Sequence, residues 1–203
     1  MMPGHSYHLV PSAQQAVALW LVLLVYISRA AASGSKANSD LLKSISLADL
    51  MRKDAGELRR TYIRSQGDFT KSFCQTHVDN APDPEITGFE PAEKLQSICT
   101  KLKLFQEHLA AVREQQIQLQ EPSNSLLSKL RNAHERLGDL ASTVNMALQC
   151  LKPNELITVG SITNSPRNTF QQKVYGCVVL TRHKEFLSRV YHELKNLRNT
   201  VER

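Results

Sequence analysis

The chain has 203 residues, 41% of them hydrophobic and 22% charged, with 25 Lys and Arg against 19 Asp and Glu and a formal net charge of +6. That composition is globular, with room for one domain and a real core. The bases are interleaved with acids, which excludes the concentrated basic face of a nucleic-acid binder.

The first element is an uncharged apolar run at residues 16–27, followed by the small residues Ala30, Ala31, Ala32 and Ser33. A run of about a dozen residues has the length of a signal-peptide core and is short for a membrane span. Only His5 and His8 precede it in place of Lys or Arg. A buried core helix is the alternative, but an edge helix needs polar positions at helical intervals, and the run has none. The expectation is a removable leader at 1–32, cut after Ala32, and a secreted, extracellular domain at 33–203. Cleavage removes one base, Arg29, and no acid. No later stretch is apolar enough for membrane insertion.

Four amphipathic helices are predicted in the mature chain. The first covers about 40–65, with Leu47, Met51, Ala55, Leu58 and Tyr62 at three- and four-residue steps, Ser39 or Asp40 as its cap and Gly67 at its end. The second opens at Pro91 and repeats Leu95, Ile98, Leu102, Phe105, Leu109 and Val112. The third opens near Ser123 and runs through Leu126, Leu130, Ala133, Leu137, Leu140, Val144, Ala147 and Leu151 until Pro153 stops it. The fourth, about 169–198, aligns Leu180, His183, Leu187, Val190, Leu194 and Leu197.

A short link around Glu121 and Pro122 makes the second and third helices an antiparallel hairpin. The flanking connections, about 66–91 and 152–168, are long. At about 3.3 Å per extended residue the second reaches ~50 Å, more than the ~39 Å of a helix of about 26 residues. Long, short, long is what an all-α, up-up-down-down four-helix bundle requires. An up-down-up-down bundle leaves both long loops without a purpose.

Four cysteines, Cys74, Cys99, Cys150 and Cys177, survive cleavage. An even number in an oxidising compartment predicts two disulfides. In the up-up-down-down arrangement Cys99 and Cys150 lie at one end and Cys74 and Cys177 at the other. That topology selects the pairs 74–177 and 99–150.

Active-site patterns are scarce. The histidines are scattered, no His-Glu-x-x-His or Glu-x-x-His occurs, and the lone Cys74-x-x-His77 pair lacks a second half, so neither a metal site nor a di-iron bundle is expected. Phosphate loops, dinucleotide fingerprints and nucleophile elbows are absent from the sequence. The chain is read as no enzyme, with no cofactor and no catalytic residue, acting as a monomer through its surface.

The segment from Thr169 to Cys177 opens the fourth helix, and within it Phe170 and Lys173 share a face. From physics alone the pair reads as a loop-packing ring beside a solvated lysine. The Phe-x-x-Lys pattern, the following Gly176-Cys177, and Phe186-Leu187-Ser188-Arg189 together resemble the interleukin-6 family of long-chain helical cytokines. The resemblance is to its branch of leukaemia inhibitory factor, ciliary neurotrophic factor and cardiotrophin. It implies that Phe170 and Lys173 dock a leukaemia inhibitory factor receptor-like chain. It implies further that exposed faces of the first and third helices dock the shared glycoprotein signal transducer, and that receptor dimerisation activates associated kinases. In leukaemia inhibitory factor the cysteine at the place of Cys177 pairs with one in the first long connection, where Cys74 stands. The N-terminal cysteines of that protein are missing and Cys99 is extra, so the second bridge is not carried over.

Arg52, Arg59, Arg60 and Arg64 on the first helix read as a solvated face. The basic excess of the fourth helix admits heparan sulfate as a partner. A basic glycan-binding or lipid-binding helical effector is the alternative function.

Overall fold

The computed structural model describes residues 13–67, 71–158 and 167–201. It contains four α-helices, α1 (Ala13–Ser65), α2 (Pro91–Leu119), α3 (Ser125–Leu151) and α4 (Thr169–Val201), and a 3-10 turn, Lys71–Gln75, in the first connection. Among the described residues there is no strand.

Local chemistry sets the helix ends. The Glu93 carboxylate accepts from the backbone N–H groups of Phe89 (2.9 Å) and Glu90 (3.3 Å), closing a capping box at the start of α2. Asn124 caps α3 by accepting from the Leu126 N–H at 2.9 Å. Gly67, with φ of 74°, takes the left-handed conformation that ends α1.

Helix α1 departs from expectation at its start. It is continuous from Ala13, so Ser39 and Asp40 lie inside it rather than capping it. No proline occurs between Pro11 and Pro82, and the alanine-rich junction at 30–33 favours helix. Residues 1–12 of the expected leader lie outside the described residues. The buried stripe is Leu41, Ala48, Met51, Ala55, Leu58 and Tyr62, and Leu47 is only partly buried. Between Leu41 and Ala48 the stripe passes through buried Ser44, whose hydroxyl donates to the Asp40 carbonyl at 2.8 Å. A satisfied polar group can sit in a core, but it hides the stripe from a reading based on apolar spacing.

The stripes of α2 and α4 are buried as expected, including His183. On α3, Leu126, Leu130, Leu137, Leu140, Val144 and Ala147 are buried, whereas Leu151 is exposed where the helix runs out.

Cross-helix pairs give the directions. Arg59 donates to Thr181 and Tyr62 to the Lys173 carbonyl, so α1 and α4 are antiparallel. Lys129 with Glu57, and Arg136 with Asp54, make α1 and α3 antiparallel. Gln106 with the His134 carbonyl and Cys99 with the Ala141 carbonyl do the same for α2 and α3, and His108 with Tyr175 and Lys94 with Glu193 for α2 and α4. Helices α1 and α2 therefore point one way and α3 and α4 the other. Their C-terminal ends meet where Gln66 donates to Gln116 at 2.9 Å and Gln120 to the Ser65 carbonyl at 3.2 Å.

Cys74 and Cys177 are joined by a disulfide, with Cα atoms 4.9 Å apart. The expected pairing of Cys99 with Cys150 is corrected: the two are not joined. Both belong to the same end of the bundle but not to the same turn. Cys99 is buried against α3 and faces the Ala141 carbonyl at 3.8 Å. Cys150 lies nine residues further along α3, about 13 Å at 1.5 Å per residue, beyond the reach of a disulfide. Burial pushes the Cys99 thiol up to about 12.

Candidate functional site

The end of the bundle where α1 stops and α4 starts combines an exposed aromatic ring, a cation, a covalent staple and a buried polar network. Phe170, in the first turn of α4, is 54% exposed although it is a large apolar side chain. Its ring meets that of Phe73, from the 3-10 turn, edge to face at 5.2 Å. The neighbouring Cys74–Cys177 bridge ties that turn to α4. Phe73, His77, Val78, Arg167, Phe170 and Val174 line an open groove of about 510 Å³ between the two segments.

Phe170 and Lys173 do lie together at the head of α4, but their surroundings differ. Lys173 is half-buried, and its ammonium donates to the Gln66 carbonyl at 3.1 Å. It caps the C-terminal end of α1, where orphaned carbonyls and the helix dipole favour a cation. An ammonium has three donors, so two remain for another acceptor.

Beneath this surface Tyr62 is fully buried, and its hydroxyl donates to the Lys173 carbonyl at 3.1 Å. Burial raises the Tyr62 phenol well above its ordinary value and keeps it neutral. Gly176 makes the approach possible, because a Cβ there would lie 2.6 Å from the Tyr62 ring carbon Cζ. A layer deeper, His108 Nδ1 and the Tyr175 hydroxyl are 2.6 Å apart, and the Arg167 guanidinium stacks 3.8 Å over the Tyr175 ring. Burial, then the Arg167 charge, lowers His108 to about 4, and burial raises Tyr175 to about 12. Both are neutral near pH 7, so this layer provides packing and hydrogen bonding rather than acid–base chemistry.

Sequence reasoning missed Phe73, Gln66, Tyr62 in its polar role, and Arg167. The one local signal was Gly176 beside Cys177, a glycine inside a helix that asks for a packing reason. The solvated-face reading of the α1 arginines also changes. Arg52 bonds Asp49 and stacks 4.6 Å over Tyr191, and Arg59 donates to Thr181 at 2.8 Å, while Arg60 and Arg64 are exposed. On α4, Arg182 donates to the Ala81 carbonyl at 2.7 Å and Arg189 pairs with Glu85. Much of the basic excess of α4 thus fastens the first connection to the bundle instead of forming an open cationic surface.

The sequence model of the LIF / OSM family matches residues 40–194, a span that contains this site. The chain is similar to cardiotrophin-1 of Mus musculus, 27% identical over 165 residues, which cover 74% of this chain and 81% of the relative. Cardiotrophin-1 of Rattus norvegicus matches to the same extent. No solved structure matches the chain.

Proposed function

The chain belongs to the LIF / OSM family of interleukin-6-type cytokines, and from that premise we propose that it is a secreted ligand that brings two different receptor chains together. It is a signalling protein and not an enzyme. The leader at 1–32 directs export, and cleavage after Ala32 leaves 33–203 as the active form. The receptors are the shared glycoprotein signal transducer, on exposed faces of α1 and α3, and a leukaemia inhibitory factor receptor-like chain, at Phe170 and Lys173. Their dimerisation activates the associated kinases.

One observation carries the second assignment. A large aromatic ring stays exposed beside a cation on a surface fixed by a disulfide and by a buried tyrosine. Interface hot spots are of this kind: an aromatic anchor, held rigid before binding, that loses little freedom on docking. Heparan sulfate is a weaker partner in this reading, because Arg182 and Arg189 are engaged within the fold.

The test is the affinity of the mature chain for each receptor ectodomain, with and without the double change Phe170→Ala and Lys173→Ala. Removing an anchor of this type costs roughly 2 kcal/mol or more, about thirtyfold in affinity. That loss is expected for the leukaemia inhibitory factor receptor-like chain, with binding to the shared transducer unchanged. Unchanged affinity for the former removes the site assignment.

A further inference from the structure

Away from the α4 start, a cavity of about 170 Å³ opens between α1 and α3. Its walls include Met51, Ala55 and Leu58 from α1 and Asn132 and Ala133 from α3, and His183 of α4 also lines it. Two ion pairs, Asp54 with Arg136 and Glu57 with Lys129, join α1 to α3 beside it, and these four side chains belong to its lining. His183 is 1% exposed, and neither ring nitrogen has a hydrogen-bond partner among the described residues.

A buried imidazole whose nitrogens meet no protein partner calls for another group to bond them. Burial holds its pKa down at about 4, so at pH 7 the ring is neutral, with one nitrogen able to accept and the other to donate. The Phe105 ring, with its centroid 6.0 Å away, supplies no hydrogen bond. The lining is mixed: Met51, Ala55, Leu58 and Ala133 offer an apolar wall on which a ring can pack, and Asp54, Glu57, Lys129, Asn132, Arg136 and His183 are polar. The volume is close to the ~150 Å³ of an apolar cavity that takes up benzene. A single aromatic ring fits this space, and one hydroxyl on it satisfies the acceptor nitrogen of the imidazole.

From this geometry we infer that the α1–α3 cavity is a binding site for a small neutral phenol-like molecule, whose ring packs on Met51, Ala55, Leu58 and Ala133 and whose hydroxyl donates to the unprotonated nitrogen of His183. A charged ligand gains no free partner, since the four charged side chains of the lining are paired with one another and the imidazole is neutral. The site is independent of the receptor surface at Phe170 and does not rest on the receptor assignment.

The probe is phenol, with benzene as its apolar control, titrated into the folded mature chain while the imidazole nitrogens of His183 are followed by nuclear magnetic resonance. Phenol is expected to saturate with Kd below about 1 mM, a reasonable value for so small a ligand, and to shift the His183 nitrogens. Benzene should bind at least about tenfold more weakly, the worth of one good hydrogen bond. Ala133→Leu, which fills the cavity from a half-buried position, should abolish phenol binding with the circular dichroism unchanged. If that variant does not fold, His183→Phe serves instead and should erase the preference for phenol over benzene. The proposal is overturned if phenol leaves the His183 nitrogens unmoved, if benzene binds as well as phenol, or if the nitrogens exchange with bound water only.

Discussion

Gly176 and Tyr62 show how one missing side chain positions a surface. Tyr62 reaches the Lys173 carbonyl only because residue 176 has no Cβ. Gly176→Ala forces a fully buried phenol to move, and overpacking of this kind costs about 1–3 kcal/mol. Urea denaturation should show that loss, accompanied by weaker binding of the leukaemia inhibitory factor receptor-like chain. A fully stable variant would show that the tyrosine can yield, and that the fit is not needed. Phe170 and Lys173 were readable in the sequence because they are local, three residues apart on one helix turn. Phe73 and Gln66 were not, since each lies roughly a hundred residues away in sequence and comes into place only when the first connection folds back. Local spacing carries no information about contacts of that range.

The helices themselves were the most readable elements. Apolar steps of three and four identified α2, α3 and α4, and proline and glycine marked several of their ends. Reading failed where polarity and burial part company: Ser44 completes the buried stripe of α1 through a hydrogen bond to its own helix, so the apolar pattern broke there. The cysteines show a similar limit. Topology assigned each to an end of the bundle, but an end spans several turns, and Cys99 and Cys150 occupy different ones. The bridge that does form closes a sequence separation of 103 residues. In the chain-entropy model a loop of that length is worth about 4.7 kcal/mol. Replacing Cys74 and Cys177 with serine should lower stability by up to that amount in guanidinium titrations, and should weaken the receptor face by releasing the turn that carries Phe73. Asn124 ties the start of α3 to the same end of the bundle: its side chain caps the helix and donates to Gln120, which in turn bonds the Ser65 carbonyl. Asn124→Ala should cost about 1 kcal/mol in urea titrations, the usual worth of an N-cap. A variant as stable as the parent would remove the capping role.

The assembled bundle holds two histidines neutral in its interior, and this gives it a defined response to acid. His108 and His183 take up a proton only near pH 4 in the folded chain, whereas an unfolded histidine does so near 6.5. Between those values the unfolded chain binds more protons, so stability is fully present above about pH 6.5 and falls as pH drops toward 4. The slope is at most about 1.4 kcal/mol per pH unit for each histidine. Denaturation midpoints at pH 7 and pH 5 should differ accordingly, and His183→Phe should remove part of the difference. An unchanged pH dependence would mean that the ring is solvated in the folded protein. The parallel course of α1 and α2 was readable from connection lengths alone, because a long first loop has to traverse the bundle, and the cross-helix pairs agree with it.

In the proposed reading, that arrangement sets the two receptor surfaces on separate parts of one bundle. The direct measurement is the stoichiometry formed when the mature chain is mixed with both receptor ectodomains, read by analytical ultracentrifugation. We expect a complex containing one ligand with both receptor chains, and only the shared transducer bound when Phe170 and Lys173 are both alanine. A complete assembly formed equally well by that variant, or no assembly with either receptor, would contradict the bridging role.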